Sequence, residues 1–219
     1  MEPIFIIKRS TEAHGGIESW KNLKSLSFTK KTNLYKEDGS LKSTILQNQK
    51  FDFENNLSIS LNSILDSVKC NLQNGKVTIQ NKDSIYRPVG EELNKTQALF
   101  SSAMYVASQP FQLLESGASF ERIKDTLVNN KRVLSILVHY KNEGIDSDKW
   151  TYYFDPNSFE VTACKVRHNG RESLIENTSY DKSTPFLFNR RRKSTILENG
   201  KPKFVFAEYE YMNYRVEMR

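Results

Sequence analysis

Val133-Leu134-Ser135-Ile136-Leu137-Val138-His139-Tyr140, followed by Trp150-Thr151-Tyr152-Tyr153-Phe154-Asp155-Pro156-Asn157-Ser158, decides the fold class. Leu134, Ile136, Val138 and Tyr140 alternate with other side chains, as do Trp150, Tyr152 and Phe154. Residues two apart share one face of a strand, so both stretches read as strands with one buried face. Asp155 to Ser158 reads as the turn that ends the second, with Pro156 pre-setting φ and Asn157 bending the backbone.

The pattern continues in both directions. Downstream, strands are read at Phe159 to Val166, Arg171 to Tyr180, Ser194 to Glu198 and Phe204 to Tyr211, with Asn169-Gly170 and Asn199-Gly200 as tight turns. Upstream lies Phe120 to Leu127. The first half holds a strand at Leu26 and Phe28, a turn at Glu37-Asp38-Gly39 and a return to Phe53. Leu57 to Leu61, Val68 to Leu72 and Val77 to Ile79 follow, the last two joined by Asn74-Gly75. About ten strands joined by short hairpins give a wide antiparallel sheet, which tends to curl.

Helical spacing appears twice. Ile7, Thr11 and His14 form a stripe stopped by Gly15-Gly16, after which a short turn carries Ile17 and Trp20. Leu93, Phe100, Met104 and Ala107 recur at helical spacing until Pro110, and Phe111, Leu113 and Leu114 extend that region. The expected fold is mainly β (α+β): one domain over residues 1–219, an unclosed half-barrel with helices plugging its concave face.

The 219 residues include 32 Lys and Arg against 26 Asp and Glu, a formal net charge of +6. That excess permits attraction to nucleic acid, anionic lipid or an acidic partner. No apolar stretch approaches the length of a transmembrane helix, and Pro3 to Ile7 is too short for a signal-peptide core. An amphipathic segment starting almost at Met1 is also what a trimmed export or lipid-anchoring leader would leave. Cys70 and Cys164 lie in no metal-like spacing; two buried thiols are expected, with one long-range disulfide as the alternative.

Proton-transfer chemistry points first to histidine. His14, His139 and His168 form no i, i+4 metal pair, and the chain has no nucleophile elbow or phosphate-cradling loop. No catalytic, metal or cofactor site is therefore expected. His139 reads as outward-facing, His168 as preceding a turn, and His14 as a structural residue at a helix end. A hydrolase using His14 with a nearby carboxylate is the alternative. Asn189-Arg190-Arg191-Arg192-Lys193, the densest basic run, reads as a solvated strand entry rather than a nucleic-acid site. Its alternative is an edge for anionic head groups or an acidic protein.

Leu26, Phe28, Leu134, Ile136, Trp150, Tyr152, Phe154 and Phe206, with Phe100 and Met104 from the helical plug, are the candidate lining of an apolar cavity. An ordinary filled core is the competing use of the same residues.

This order of helix, meander, helical insertion and further strands resembles the periplasmic lipoprotein-carrier fold of the LolA and LolB type. Ala13-His14-Gly15-Gly16, Trp20 and Leu23-Lys24-Ser25-Leu26-Ser27-Phe28 resemble the opening signature of a Bacteroidetes family with this fold. Tyr153-Phe154-Asp155-Pro156 is a further match. The resemblance implies an exported monomer, periplasmic or anchored at the outer membrane, that binds lipid or lipoprotein acyl chains without catalysis. It also implies peripheral membrane contact, an envelope protein as a further partner and no nucleic acid. His14, Gly15, Gly16 and Trp20 would be structural. In such carriers an arginine near the early strands latches the helical lid; Lys30 and Lys31 occupy that region here, so no latch is carried over.

Overall fold

The computed structural model describes residues 1–54, 56–82, 84–140, 149–168 and 170–219. Asn169 of the expected Asn169-Gly170 turn lies outside them. The chain begins with helices α1 (Pro3–Ala13) and α2 (Ile17–Lys21). Six strands follow: β1 (Leu23–Tyr35), β2 (Leu41–Asp52), β3 (Ser58–Ser63), β4 (Val68–Gln73), β5 (Lys76–Asn81) and β6 (Ser84–Tyr86). Helices α3 (Gly90–Ala107) and α4 (Gln112–Glu115) come next. The remainder is β7 (Ser119–Val128), β8 (Lys131–His139), β9 (Lys149–Phe154), β10 (Val161–His168), β11 (Arg171–Asp181), β12 (Phe188–Glu198) and β13 (Lys201–Met218).

All thirteen strands belong to one sheet, in the order β6-β5-β4-β3-β2-β1-β13-β12-β11-β10-β9-β8-β7, and the pairing is antiparallel throughout. This is more than the ten or so strands expected, partly because β6 is too short to show an alternation of its own. Asn74-Gly75 and Asn199-Gly200 have positive φ at both residues, the conformation of the two-residue turns that match strand twist. Sequence-adjacent pairing accounts for every neighbour except β1 with β13, which joins the two halves of the chain. Among the described residues β6 and β7 are the two edges of the sheet and do not pair with each other, so it is a half-barrel. The segment between them, α3 with α4, crosses the concave side.

Two apolar clusters fill much of that side. Leu26, Phe28, Phe51, Phe100 and Tyr211 belong to one, together with Trp20, whose ring stacks on Phe111 at 4.7 Å. The other gathers Ile6 and Ile7 of α1, Leu113, Leu134, Ile136, Tyr152 and Phe154. α1 docks on this second cluster because Ile6, Ile7, Ser10 and Thr11 form its buried stripe.

The end of α1 is clasped to the segment leading into β12. The His14 carbonyl accepts from the Leu187 amide at 3.1 Å. Gly15 has φ +119°, and a Cβ there would lie 2.8 Å from Phe186 Cδ1 and 2.9 Å from the Pro185 carbonyl oxygen. Left-handed backbone and close approach both require glycine. Gly15→Ala is therefore expected to destabilise the protein by about 2–4 kcal/mol in urea unfolding. Gly39→Ala, in an open turn where an added Cβ meets nothing, is expected to lose less.

Candidate functional site

The basic run Asn189 to Lys193 lies within β12, where the register with β11 shifts at Arg190 and alternation resumes from Arg191. Arg191 faces Glu210 at 3.3 Å and Lys193 faces Glu176 at 3.1 Å, while Arg190 is exposed. Arg192 is turned inward and is only 4% exposed. The run is not a uniformly solvated strand entry. Ser194 and Ile196, two and four residues beyond Arg192, are buried with it.

Register places Arg192 beside the joint between the chain's halves, where two neighbouring rows of side chains meet. Arg192 pairs with Tyr209 on β13, Tyr211 pairs with Lys30 on β1, and Lys30 pairs with Gln47 on β2. Leu61 of β3, Gln49 of β2 and Ile175 of β11 flank these rows, and Leu99, Ser102, Ala103 and Val106 of α3 pass over them. Together they enclose a cavity of about 330 Å³. Its walls draw on both apolar clusters: Leu61, Ala103 and Tyr211 belong to the first, and Ile175 packs on the margin of the second. Leu99 is exposed at its rim.

The polar atoms of the site are short of negative charge. The Arg192 Nη2 reaches Cys164 Sγ at 3.8 Å, the Tyr211 phenol stands beside the guanidinium, and Nε has no hydrogen-bond acceptor. No carboxylate among the described residues lies within ion-pair distance of Arg192. The Lys30 ammonium sits 5.2 Å from the Tyr209 ring centroid and 5.9 Å from that of Tyr211, a cation–π arrangement. Gln49, also buried, donates to Gln47 Oε1 at 3.2 Å. The lining thus contains two cations and no acid.

A chain of neutral groups continues behind Arg192. Burial pushes the Cys164 thiol up, and Gln109 Nε2 donates to the Tyr152 hydroxyl at 3.1 Å. The Tyr152 hydroxyl is hydrogen-bonded to that of Tyr105, which accepts from Tyr140 at 3.2 Å. Burial holds Tyr105 and Tyr152 well above the usual phenol range, so both are uncharged at neutral pH. Both cysteines are free thiols; Cys164 is buried but Cys70 only half-buried.

The residues read from sequence as a cavity lining stand behind this space. Leu26, Phe28 and Phe100 are buried in the first cluster, with Met104 packed against it. Leu134, Ile136, Tyr152 and Phe154 are buried in the second, with Trp150 against it. Phe206 is half-buried, with the Arg171 guanidinium 4.7 Å from its ring centroid. None of the ten lines the 330 Å³ cavity.

His14 is 2% exposed, its Nδ1 is 2.8 Å from the Ser10 carbonyl oxygen, and its ring meets Tyr180 edge-on at 5.6 Å. This buried setting places it with backbone and a phenol rather than with a carboxylate. His139 is exposed, 3.7 Å from Glu121. Among the described residues no cluster of three or more His, Cys, Asp or Glu has a geometry fit for a metal ion. No helix among the described residues is long and apolar enough to cross a membrane.

No protein-family model matches the chain, and no curated protein matches it in sequence. Solved structures do match its fold. A domain from Vibrio parahaemolyticus, described as an outer-membrane lipoprotein-sorting protein, superposes with a TM-score of 0.62 at 11% identity, over 98% of this chain and 92% of its own. A LolA superfamily protein from Nitrosomonas europaea gives 0.62 at 7% identity, over 99% and 94%. A DUF1329 family protein from Desulfovibrio piger gives 0.62 at 8% identity, again over 99% and 94%. The fold is LolA-like.

Desolvation lowers the His14 pKa from 6.5 to about 4, against the opposing pull of the Ser10 carbonyl. The folded state therefore binds fewer protons than the unfolded chain between those values. Stability associated with neutral His14 is complete above pH 6.5 and is lost as the pH falls towards 4, by about 3 kcal/mol in all. Urea unfolding of wild type and His14→Gln at steps across this window is expected to show that portion of the slope in wild type alone.

Proposed function

We propose that the protein binds and carries a lipid-like ligand, without catalysis, in the cavity between the concave sheet and α3. The observation that supports this reading most is the cavity itself. Where α3 covers the concave face of the half-barrel it leaves about 330 Å³ beneath it, walled in part by Leu61, Ala103, Val106 and Ile175. That volume is at the lower end of the range of small-molecule sites. Carriage asks only that α3 open and close over the sheet. The LolA-like fold supports the same reading, since one of its structural neighbours is described as lipoprotein-sorting.

Magnitudes are consistent with reversible binding. Each buried methylene contributes about 0.8 kcal/mol, so roughly ten supply on the order of 8 kcal/mol before the cost of association is subtracted. A single alkyl chain is therefore held weakly enough to be released. The reading includes one domain over residues 1–219, an envelope location, a monomeric carrier and an envelope protein as donor or acceptor. It also includes membership of Ala13-His14-Gly15-Gly16 in the Bacteroidetes signature that it resembles.

Native mass spectrometry of delipidated protein exposed to a bacterial lipid extract tests this. The expected result is a retained lipid adduct in wild type and at least about ten-fold less in Val106→Trp, which places an indole in the cavity. No adduct on wild type at any lipid concentration would sink the proposal.

A further inference from the structure

An alkyl chain explains the apolar walls of the cavity but not its guanidinium. Burying an unpaired charge is strongly unfavourable unless something of opposite sign or good hydrogen-bonding capacity meets it. Arg192 is 4% exposed, opposes no acid among the described residues, and has a buried Nε with no acceptor. Its polar partners include the Cys164 sulfur and the Tyr211 phenol, neither of them a carboxylate. Lys30 lines the same cavity, over the rings of Tyr209 and Tyr211. Two cations in a lining that holds no acid, beside the apolar side chains of Leu61, Ala103, Val106 and Ile175, form a site of mixed character.

Resting on the carrier reading above, we propose that Arg192 is a head-group site, and that the ligand is an amphiphile whose single anionic head, carboxylate or phosphate, sits against the Arg192 guanidinium. Arginine suits this task because it stays charged when buried and presents its N–H donors as a planar fork that matches both oxyanions. Lys30 adds long-range attraction from the half-exposed side of the cavity. The tail then lies beneath α3 against Leu61, Ala103 and Val106, with Leu99 at the exit. Unlike a purely apolar pocket, such a site discriminates among lipids of equal chain length, because a neutral head leaves the guanidinium unpaired.

The test compares decanoate, decyl phosphate and decanol as ligands of delipidated full-length protein by calorimetric titration below their aggregation limits. Wild type is expected to bind at least one of the two anions about ten-fold or more tightly than the alcohol. The preferred anion identifies the source, fatty acid or phospholipid-like. Arg192→Gln is expected to lose that preference while retaining its affinity for decanol, and Arg192→Lys to keep part of it. Equal binding of all three ligands by wild type would overturn the head-group site while leaving the carrier reading intact. Binding of none would overturn both. Anion preference unchanged in Arg192→Gln would overturn the assignment to Arg192. The wild-type comparison needs no variant, so it stands even if Arg192→Gln fails to fold.

Discussion

The pairing of β1 with β13 is the constraint on which the rest of the molecule depends. Every other pair of neighbours in the sheet is consecutive in sequence, but these two strands are separated by almost the whole chain. Their register sets Lys30 opposite Tyr211 and Leu26 opposite Val216. It thereby joins a meander of six strands to one of seven and turns them into a continuous concave surface. Because β6 and β7 never meet, that surface stays open, and α3 with α4 occupies the space in front of it. The clasp at His14 and Gly15 ties α1 to the entry of β12, so the second half of the sheet is held from both ends of the chain.

The cavity follows from the same joint. Gln47, Lys30, Tyr211, Tyr209 and Arg192 come from four strands, and only the β1–β13 register brings them together. A buried guanidinium without an acid is a poor contribution to stability, since an apolar residue of similar volume is often better tolerated. Such departures from good packing concentrate where function requires them. The polar chain from Arg192 through Cys164, Gln109 and Tyr152 to Tyr105 has the same character: it is neutral, buried and set between two apolar clusters.

Much of the fold was legible because it is built from local patterns. Alternation in Leu134-Ser135-Ile136-Leu137-Val138 and in Trp150-Thr151-Tyr152-Tyr153-Phe154, with Asn74-Gly75 and Asn199-Gly200 as turns, specifies antiparallel hairpins directly. The glycines after His14 marked the end of α1 correctly. The β1–β13 pairing has no local signal, since nothing in either strand names its partner. The site was harder still. Arg192 was hidden in a charge run that looks solvated when read as a block. Parity held part of the clue: Arg192, Ser194 and Ile196 alternate on one buried face, while Arg190, at the same parity but exposed, sits where the register with β11 shifts. The aromatic residues that stand out in the sequence form the packed clusters, whereas Leu61, Ala103, Val106 and Ile175, which wall the cavity, are inconspicuous. Composition shows that such side chains are buried, but only the long-range register shows which of them border empty space.

Photo-crosslinking addresses the central claim most directly, by asking where a ligand lies. A fatty acid carrying a diazirine along its tail would be irradiated with the delipidated protein, and the modified peptides located by mass spectrometry. Adducts concentrated on Leu99 to Val106 of α3 and on the facing strands β3 and β13 are the expected result. Adducts confined to the convex face of the sheet, or spread evenly over the surface, would contradict a ligand held between the sheet and α3.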